Sequence, residues 1–354
     1  MKLGKFIFLL VSICLVFSMV ACAAPTTPAD EDGVPPSGEV FNWRLFTLYP
    51  RGTSFDPYFD KFSADVTKMS DGRLNIEVMY SGEGINAPEL MSAVSTGLTE
   101  MAFPWIGLHT GEIPACNVEM GLPGVPLTPL ELYVLYEERG FKEKLREIYA
   151  EQNIYWLAAG FDPGVYLISR KPINSISDIA EMKWRSGGSY AAMMENLGAH
   201  TVPMEFGEVY TSLATGVIDG VAMSTLVDHR DGSWYEVAKY EYPLPVTSYQ
   251  STPYVVNMDA WNALPDDLQA ILEDAARLNV GVDTYSALQI MEKEAINQMM
   301  ASGLQWGPTP STSDEAAWIA AGVLAWDQIA AADADSAELI AILEDFMKEL
   351  GYID

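Results

Sequence analysis

An arginine at the end of a predicted buried strand is the residue in this sequence best suited to bind an anion. Residues 182–185 are predicted as a short strand, and Arg185 is followed by Ser186-Gly187-Gly188-Ser189 at the start of a predicted helix. A guanidinium beside free backbone N–H groups at a helix N-terminus is a good carboxylate receptor. The alternative role is an ion pair with one of the many acidic residues. We expect Arg185 to bind a ligand carboxylate.

Sequence motifs of enzymes are missing from this chain. The three histidines, His109, His200 and His229, are scattered, and there is no HExxH motif, GxSxG motif or cysteine cluster. The short run 82–84, Gly-Glu-Gly, lacks the third glycine of a phosphate loop and places an acidic residue where a phosphate would bind. We therefore predict no enzyme, no metal site and no cofactor, with an exported hydrolase as the least favoured alternative.

Arg185 belongs to a stretch in which strands and helices alternate. Residues 200–202 and 217–223 are predicted as further strands, and residues 206–215 as the helix between them. In such units the strands are parallel and buried, and ligands bind beyond their C-terminal ends. Arg185 and Met223 both fall at such ends, so the sequence predicts an α/β fold with a binding site there.

An internal repeat indicates two lobes of similar build. Residues 89–97 (ELMSAVSTG) match residues 208–216 (EVYTSLATG) at a constant offset of 119 positions, with Glu100 corresponding to Asp219. Each copy reads as a helix, a glycine cap and a strand. The repeat places Trp105 and Met223 near equivalent strand ends that face a shared cleft. The alternative is that this supersecondary pattern is simply common.

The same region carries a family resemblance. The run PMEFGEVYTSLATGVIDG at 203–220, the RKPINSISDI and KWR segments between Arg170 and Arg185, and WYEVAKY at 234–240 resemble the DctP-type solute-binding proteins of tripartite ATP-independent periplasmic (TRAP) transporters. The likeness extends from about Asn42 into the helix after Pro265. It implies a binding protein with two lobes, a hinge and a long helix along both lobes. In that family the arginine at the position of Arg185 binds the substrate carboxylate.

The resemblance also implies domain boundaries. Lobe I is expected at residues 40–166 plus about 251–290, and lobe II at 167–250 plus about 291–354. Within them we predict one helix over 129–149, strands at 154–159 and 165–169 on either side of a bend at 160–164, and one long helix over 265–301. The bend and the segment near Tyr254 are the expected crossings between lobes.

Other candidate ligand contacts are less specific than Arg185. Arg170 lies where some family members use a second arginine. Trp105, Tyr49 and Tyr166 stand at predicted strand ends, where aromatic residues are as often core as pocket. Met223 belongs to the run VAMS, which replaces the asparagine of sugar-acid binders and the Glu-Trp pair of metal-dependent 2-oxo-acid binders. A flexible thioether favours an apolar substrate body, so we expect a monocarboxylate with such a body.

The N-terminal sequence predicts export from the cytoplasm, and the net charge limits the possible partners. Residues 1–21 have the lysines, the short apolar run and the small residue of a signal peptide, and Cys22 follows as a candidate lipidation site. Ordinary cleavage nearby is the alternative. Residues 22–39 read as an anchor and a flexible tether. The net charge of −29 excludes nucleic acid and anionic lipid surfaces as partners.

We therefore expect an extracytoplasmic, lipid-anchored protein that hands a small organic acid to the small and large integral membrane subunits of a TRAP transporter. A ligand-binding module of a signalling system is the alternative from another functional class.

Overall fold

A nine-stranded mixed sheet organises residues 38–353, the part of the chain that the computed structural model describes. The predicted signal peptide, Cys22 and tether residues 22–37 lie outside the described residues. The strands are β1 (Phe41–Thr47), β2 (Leu74–Met79), β3 (Met101–Phe103), β4 (Ile154–Ser169), β5 (Lys183–Arg185), β6 (His200–Val202), β7 (Gly220–Ser224), β8 (Tyr240–Asn257) and β9 (Gln305–Trp306). Their order across the sheet is β2-β1-β3-β8-β4-β7-β5-β6, and β9 pairs with β8.

Helices cover the sheet. They are α1 (Asp56–Met69), α2 (Leu90–Ser95), α3 (Cys116–Glu119), α4 (Pro129–Glu138), α5 (Phe141–Ala150), α6 (Gly188–Asn196), α7 (Val209–Thr215), α8 (Leu226–Asp231), α9 (Met258–Ala263), α10 (Asp266–Leu278), α11 (Tyr285–Ala301), α12 (Thr312–Ala332) and α13 (Ala334–Glu349). Within residues 38–353, none of these helices has both the length and the apolar character needed to cross a bilayer.

The two ends of the sheet are built alike. β1 lies between β2 and β3 and is parallel to both, and β5 lies between β6 and β7 and is parallel to both. Each group contains one copy of the sequence repeat, α2 before β3 and α7 before β7. Gly97 and Gly216 follow these helices with φ of 73° and 77°, a left-handed conformation that glycine adopts at low cost. The predicted repeat is therefore confirmed.

A long antiparallel ribbon joins the two three-stranded groups. β4 and β8 pair from Ile154 with Asn257 to Ser169 with Tyr240, while β8 also pairs with β3 and β4 also pairs with β7. The predicted bend that interrupts a strand at 160–164 is wrong. The strand continues because residues such as Gly160 keep cross-strand partners in β8, which the local sequence could not reveal.

Of the two long helices predicted from the sequence, one is wrong and the other is present with a local distortion. The single helix predicted over 129–149 is wrong, because α4 and α5 are separated at Gly140, whose φ of 83° cannot continue a right-handed helix. The long helix predicted over 265–301 is present as α10 and α11. They are joined by π-helical turns at Asn279–Thr284, a form of local distortion that often marks a functional position.

Candidate functional site

Arg185 is positioned by the residue before it and by a glycine on the neighbouring strand. Trp184 is fully buried, and its indole Nε1 donates to the carbonyl oxygen of Ile179 at 3.2 Å. Gly220 on β7 pairs with Trp184, and a Cβ at Gly220 would come within 2.4 Å of the Trp184 ring. Successive side chains of a strand point to opposite faces, so packing Trp184 on one face directs Arg185 to the other.

The guanidinium of Arg185 is buried, and only two of its three nitrogens donate hydrogen bonds to other described residues. Its Nε donates to the carbonyl oxygen of Met204 and its Nη1 to Ser224 Oγ, each at 3.0 Å. The guanidinium carbon lies 5.7 Å from the ring centroids of both Trp105 and Trp234. Arg185 is 5% exposed, and no other Lys or Arg within 38–353 is buried. Among the described residues, it enters no ion pair and its Nη2 has no acceptor.

A small cavity lies beside this guanidinium. Most of its lining residues lie at the ends of strands or directly after them, in both three-stranded groups, and the others come from α8 and from β8 of the ribbon. They are Leu48, Tyr49, Trp105, Arg185, Phe206, Met223, Ser224, Asp228 and Gln250. The structure thus brings together four of the residues singled out from the sequence, namely Arg185, Trp105, Met223 and Tyr49. The cavity measures about 20 Å³, room for about one water molecule, so an organic ligand requires the walls to separate.

Two other candidate residues lie outside this cavity. Arg170 is exposed and stands beside the N-terminal end of β7, where its backbone N–H donates to the carbonyl oxygen of Asp219 at 2.8 Å. Tyr166 is half-buried, pairs with Ser224 across β4 and β7, and has its ring centroid 6.0 Å from that of Trp306. The structure does not bring either side chain to the lining of the cavity.

The glycines after Arg185 support close packing and do not line the cavity. Gly187 precedes α6, and a Cβ there would lie 3.2 Å from the Trp105 ring. A Cβ at Gly188 would lie 2.5 Å from Met120 Sδ, and the φ of Gly188 is 56°. Ser189 Oγ donates to the carbonyl oxygen of Gly121 at 3.2 Å. This helix N-terminus therefore packs against the segment after β3, and it does not provide the cavity with the expected row of backbone donors.

Burial shifts the titration of the charged groups in the cavity. Loss of hydration lowers the pKa of Arg185 to about 10, so the guanidinium stays protonated at neutral pH. Burial raises the pKa of Asp228 to about 6. Asp228 also caps α8, where its Oδ2 accepts from the backbone N–H of Thr225 at 3.2 Å. Within residues 38–353, no group of three or more His, Cys, Asp or Glu side chains is placed to hold a metal ion.

Sequence reasoning missed five lining residues: Leu48, Phe206, Ser224, Asp228 and Gln250. Two of them carried a usable signal. Ser224 directly follows Met223, and Thr225-Leu-Val-Asp228 is a capping-box pattern that predicts a helix start at the end of β7. Gln250 had none, because it lies in the middle of the 18-residue strand β8 and reaches the site only through the sheet pairing.

Known proteins share this sequence pattern and fold. The sequence matches the model of the family described as bacterial extracellular solute-binding protein, family 7 (DctP), over residues 49–333. A monocarboxylate 2-oxoacid-binding periplasmic protein of Nostoc sp. is 24% identical over 294 residues, covering 82% of this chain and 79% of the relative.

Two solved structures show the shared fold. A TRAP transporter solute-binding protein of Bordetella bronchiseptica, with calcium and picolinate in its active site, has a TM-score of 0.82 and 24% identity, covering 89% of this chain and 94% of the other. A Bordetella pertussis extracytoplasmic solute receptor that binds pyroglutamic acid has a TM-score of 0.77 and 18% identity, covering 86% and 100%.

These similarities confirm the resemblance predicted from the sequence and the two-lobed α/β binding-protein fold. The family match covers well over half of the chain and includes eight of the nine cavity-lining residues, all but Leu48. The chain belongs to the DctP family, the bacterial extracellular solute-binding proteins of family 7.

Proposed function

We propose that this protein captures a small monocarboxylate with an apolar body in a cleft between two lobes and delivers it to a TRAP transporter. Lobe I comprises residues 40–166 and about 251–290, and lobe II residues 167–250 and about 291–354. The observation that carries the proposal is Arg185, a buried cation that has no ion-pair partner among residues 38–353 and that borders the cavity.

The energetics of a buried charge favour this role for Arg185. An ionised group that has lost its water is costly unless an opposite charge and hydrogen bonds replace the hydration. Two guanidinium nitrogens already donate to Met204 and Ser224, and this fixes the plane of the group. The remaining Nη2 is available to a carboxylate oxygen, which would form a charge-assisted hydrogen bond.

The other walls of the cavity suit an apolar ligand body. Trp105, Phe206, Met223 and Leu48 contribute aromatic rings, a thioether and an aliphatic side chain. The relatives support the carboxylate, since they are named for a 2-oxoacid, picolinate and pyroglutamic acid. Both the family and the fold are those of solute-binding receptors, and we propose no catalytic step at this cavity.

The N-terminal sequence supports attachment to a membrane on its outer side. We propose that residues 1–21 are removed, that Cys22 is lipidated and that the following tether lets the binding domain reach the small and large integral membrane subunits of the transporter. Labelling cells with a radioactive fatty acid tests this proposal. The wild-type chain should take up label and Cys22→Ser should not; label on both chains, or on neither, would contradict lipidation at Cys22.

A thermal-shift screen tests the proposed ligand class. The panel contains small carboxylic acids with ring or branched bodies, each paired with its primary amide, which keeps the shape and removes the charge. A ligand at 100 times its dissociation constant stabilises the folded state by about 2.7 kcal/mol, which shifts the melting temperature by several degrees. We expect acids to give such shifts and their amides to give none. Equal shifts from acids and amides would contradict the role of a carboxylate.

A further inference from the structure

The cavity that holds Arg185 also holds two buried oxygen acceptors without donors. Asp228 is 4% exposed and Gln250 is 3% exposed, and both line the cavity. Within residues 38–353, no donor reaches Asp228 Oδ1 or Gln250 Oε1. Buried acceptors are nearly always hydrogen-bonded in folded proteins, so two free ones in one small cavity are open to donors from a ligand that enters it.

Although its charge raises the pKa of Arg185 against the effect of burial, the carboxylate of Asp228 has no ion-pair partner among residues 38–353. Its pKa of about 6 leaves it mostly ionised at neutral pH, and it forms no ion pair with Arg185 among the described residues. Asp162 stands opposite Gln250 in the β4–β8 pairing, and burial raises its pKa to about 8, so it is mostly uncharged. Asp228 is therefore the negative pole of the cavity, as Arg185 is the positive pole.

None of the other described titratable groups around Asp228 donates a hydrogen bond to its free oxygen Oδ1. Glu292 from α11 accepts the backbone N–H groups of Leu226 and Val227 at 3.3 and 2.9 Å. His229 Nδ1 lies 2.7 Å from Glu241 Oε1, and its buried Nε2 has no partner among residues 38–353. A charge on His229 lowers the pKa of Asp228. The remaining neighbours that influence these groups electrostatically are Arg185, Tyr49 after β1 and Asp231 on α8, and Asp231 pairs with Arg230. None of them offers a donor to Asp228 Oδ1.

We propose that the ligand is zwitterionic, a small amino acid whose carboxylate binds Arg185 and whose primary or secondary ammonium group donates to Asp228 and Gln250. This inference rests on the proposed function and specifies its substrate class. A cationic N–H group satisfies both free acceptors and neutralises the buried carboxylate. A zwitterion also carries no net charge, so the field of a chain with a net charge of −29 does not repel it.

Calorimetry with matched probes tests the inference. Each set contains an amino acid, the acid without its amine and the amine without its carboxylate: leucine, 4-methylpentanoate and 3-methylbutylamine; phenylalanine, 3-phenylpropanoate and 2-phenylethylamine; proline, cyclopentanecarboxylate and pyrrolidine. We expect at least one amino acid to bind about tenfold or more tightly than either partner, because each partner leaves one buried charge unpaired.

The variant Asp228→Asn tests whether the charge of Asp228, and not a general preference of the cavity for amino acids, recognises the ligand's ammonium group. Asparagine keeps the shape and can still accept the Thr225 N–H group, so the cap of α8 is retained. The amino acid should lose at least about tenfold in affinity, while the deaminated acid should bind equally or more tightly because a negative charge has been removed. Asp314→Asn is the matched control: Asp314 has the same capping-box role after Ser311 and does not line the cavity.

The outcomes distinguish the inference from the proposed function. Tighter binding of the deaminated acid by the wild-type protein, or an equal loss in both Asp variants, overturns the zwitterion and leaves a carboxylate receptor. Tighter binding of the free amine overturns both. Binding of none of the nine probes also overturns the inference, and the acid-and-amide screen then decides the proposed function independently.

Discussion

The guanidinium carbon of Arg185 lies 5.7 Å from the centroid of the Trp105 ring, although the two residues stand at the ends of strands in opposite halves of the sheet. Arg185 ends β5, and Trp105 follows β3. A cation over an aromatic face is attracted by about 0.5 to 2 kcal/mol, more when water is excluded. The pair therefore links the two halves of the site and places the cation beside an apolar wall.

Ser224 is expected to tune ligand affinity through the orientation of Arg185. Ser224→Ala removes the acceptor of Nη1, so the guanidinium is less firmly held before the ligand arrives. A net hydrogen bond is worth about 1 kcal/mol, which predicts roughly a fivefold weaker affinity by calorimetry. Ser186→Ala is the control, because Ser186 is also buried but donates to the carbonyl oxygen of Ala222. An equal loss in both variants would show that general packing is responsible.

A second buried carboxyl group predicts a pH dependence of stability. Glu119 is fully buried and accepts from Tyr149 Oη at 2.5 Å and from Trp156 Nε1 at 2.6 Å. Burial raises its pKa to about 7. Because the pKa of Glu119 is higher in the folded state than in the unfolded chain, its contribution to the free energy of unfolding is fully present below about pH 4.5. That contribution is lost as the pH rises through 7.

Urea unfolding at pH 5 and pH 8 measures this contribution. A shift of this size corresponds to about 3 kcal/mol of unfolding free energy. Glu119→Gln removes the titration, so its stability should fall less between the two pH values than that of the wild type. Glu147→Gln, at a side chain that is 75% exposed, should behave as the wild type does. A pH dependence unchanged by Glu119→Gln would contradict the assignment.

The ribbon between the halves predicts a hinge. The pairing of β4 with β8 is irregular between Trp156 and Ala158, near Tyr254, and again between Val165 and Leu167, at the expected lobe boundary after Tyr166. The π-helical turns at Asn279–Thr284 offer a matching bend in the long helix. Solution scattering should give a smaller radius of gyration with a bound ligand than without one. An unchanged radius would indicate a rigid receptor.

The sequence predicted the parts of the site that depend on local pattern. Arg185, Met223 and Trp105 stand at the ends of parallel strands, and alternating strands and helices place such ends along one edge. Asp228 and Gln250 could not be predicted in the same way, because their approach depends on how β8 pairs with β4 and how α8 packs. The continuity of β4 was missed for a related reason, since its middle residues are held by pairing with β8 and not by local propensity.

Calorimetry on Arg185 variants, with an acid taken from the thermal-shift screen, measures whether Arg185 holds the ligand carboxylate. Arg185→Ala should weaken binding by about 2 to 5 kcal/mol, roughly 30-fold to several thousand-fold, because the ligand carboxylate is left buried without a partner. Arg185→Lys should restore little, since an ammonium cannot reproduce the planar fork. Arg170→Ala, at an exposed arginine outside the cavity, should bind as the wild type does. An Arg185→Ala protein that binds within about threefold of the wild type would contradict a role for Arg185 in holding the carboxylate, and a weakened Arg170→Ala protein would then assign that role to Arg170.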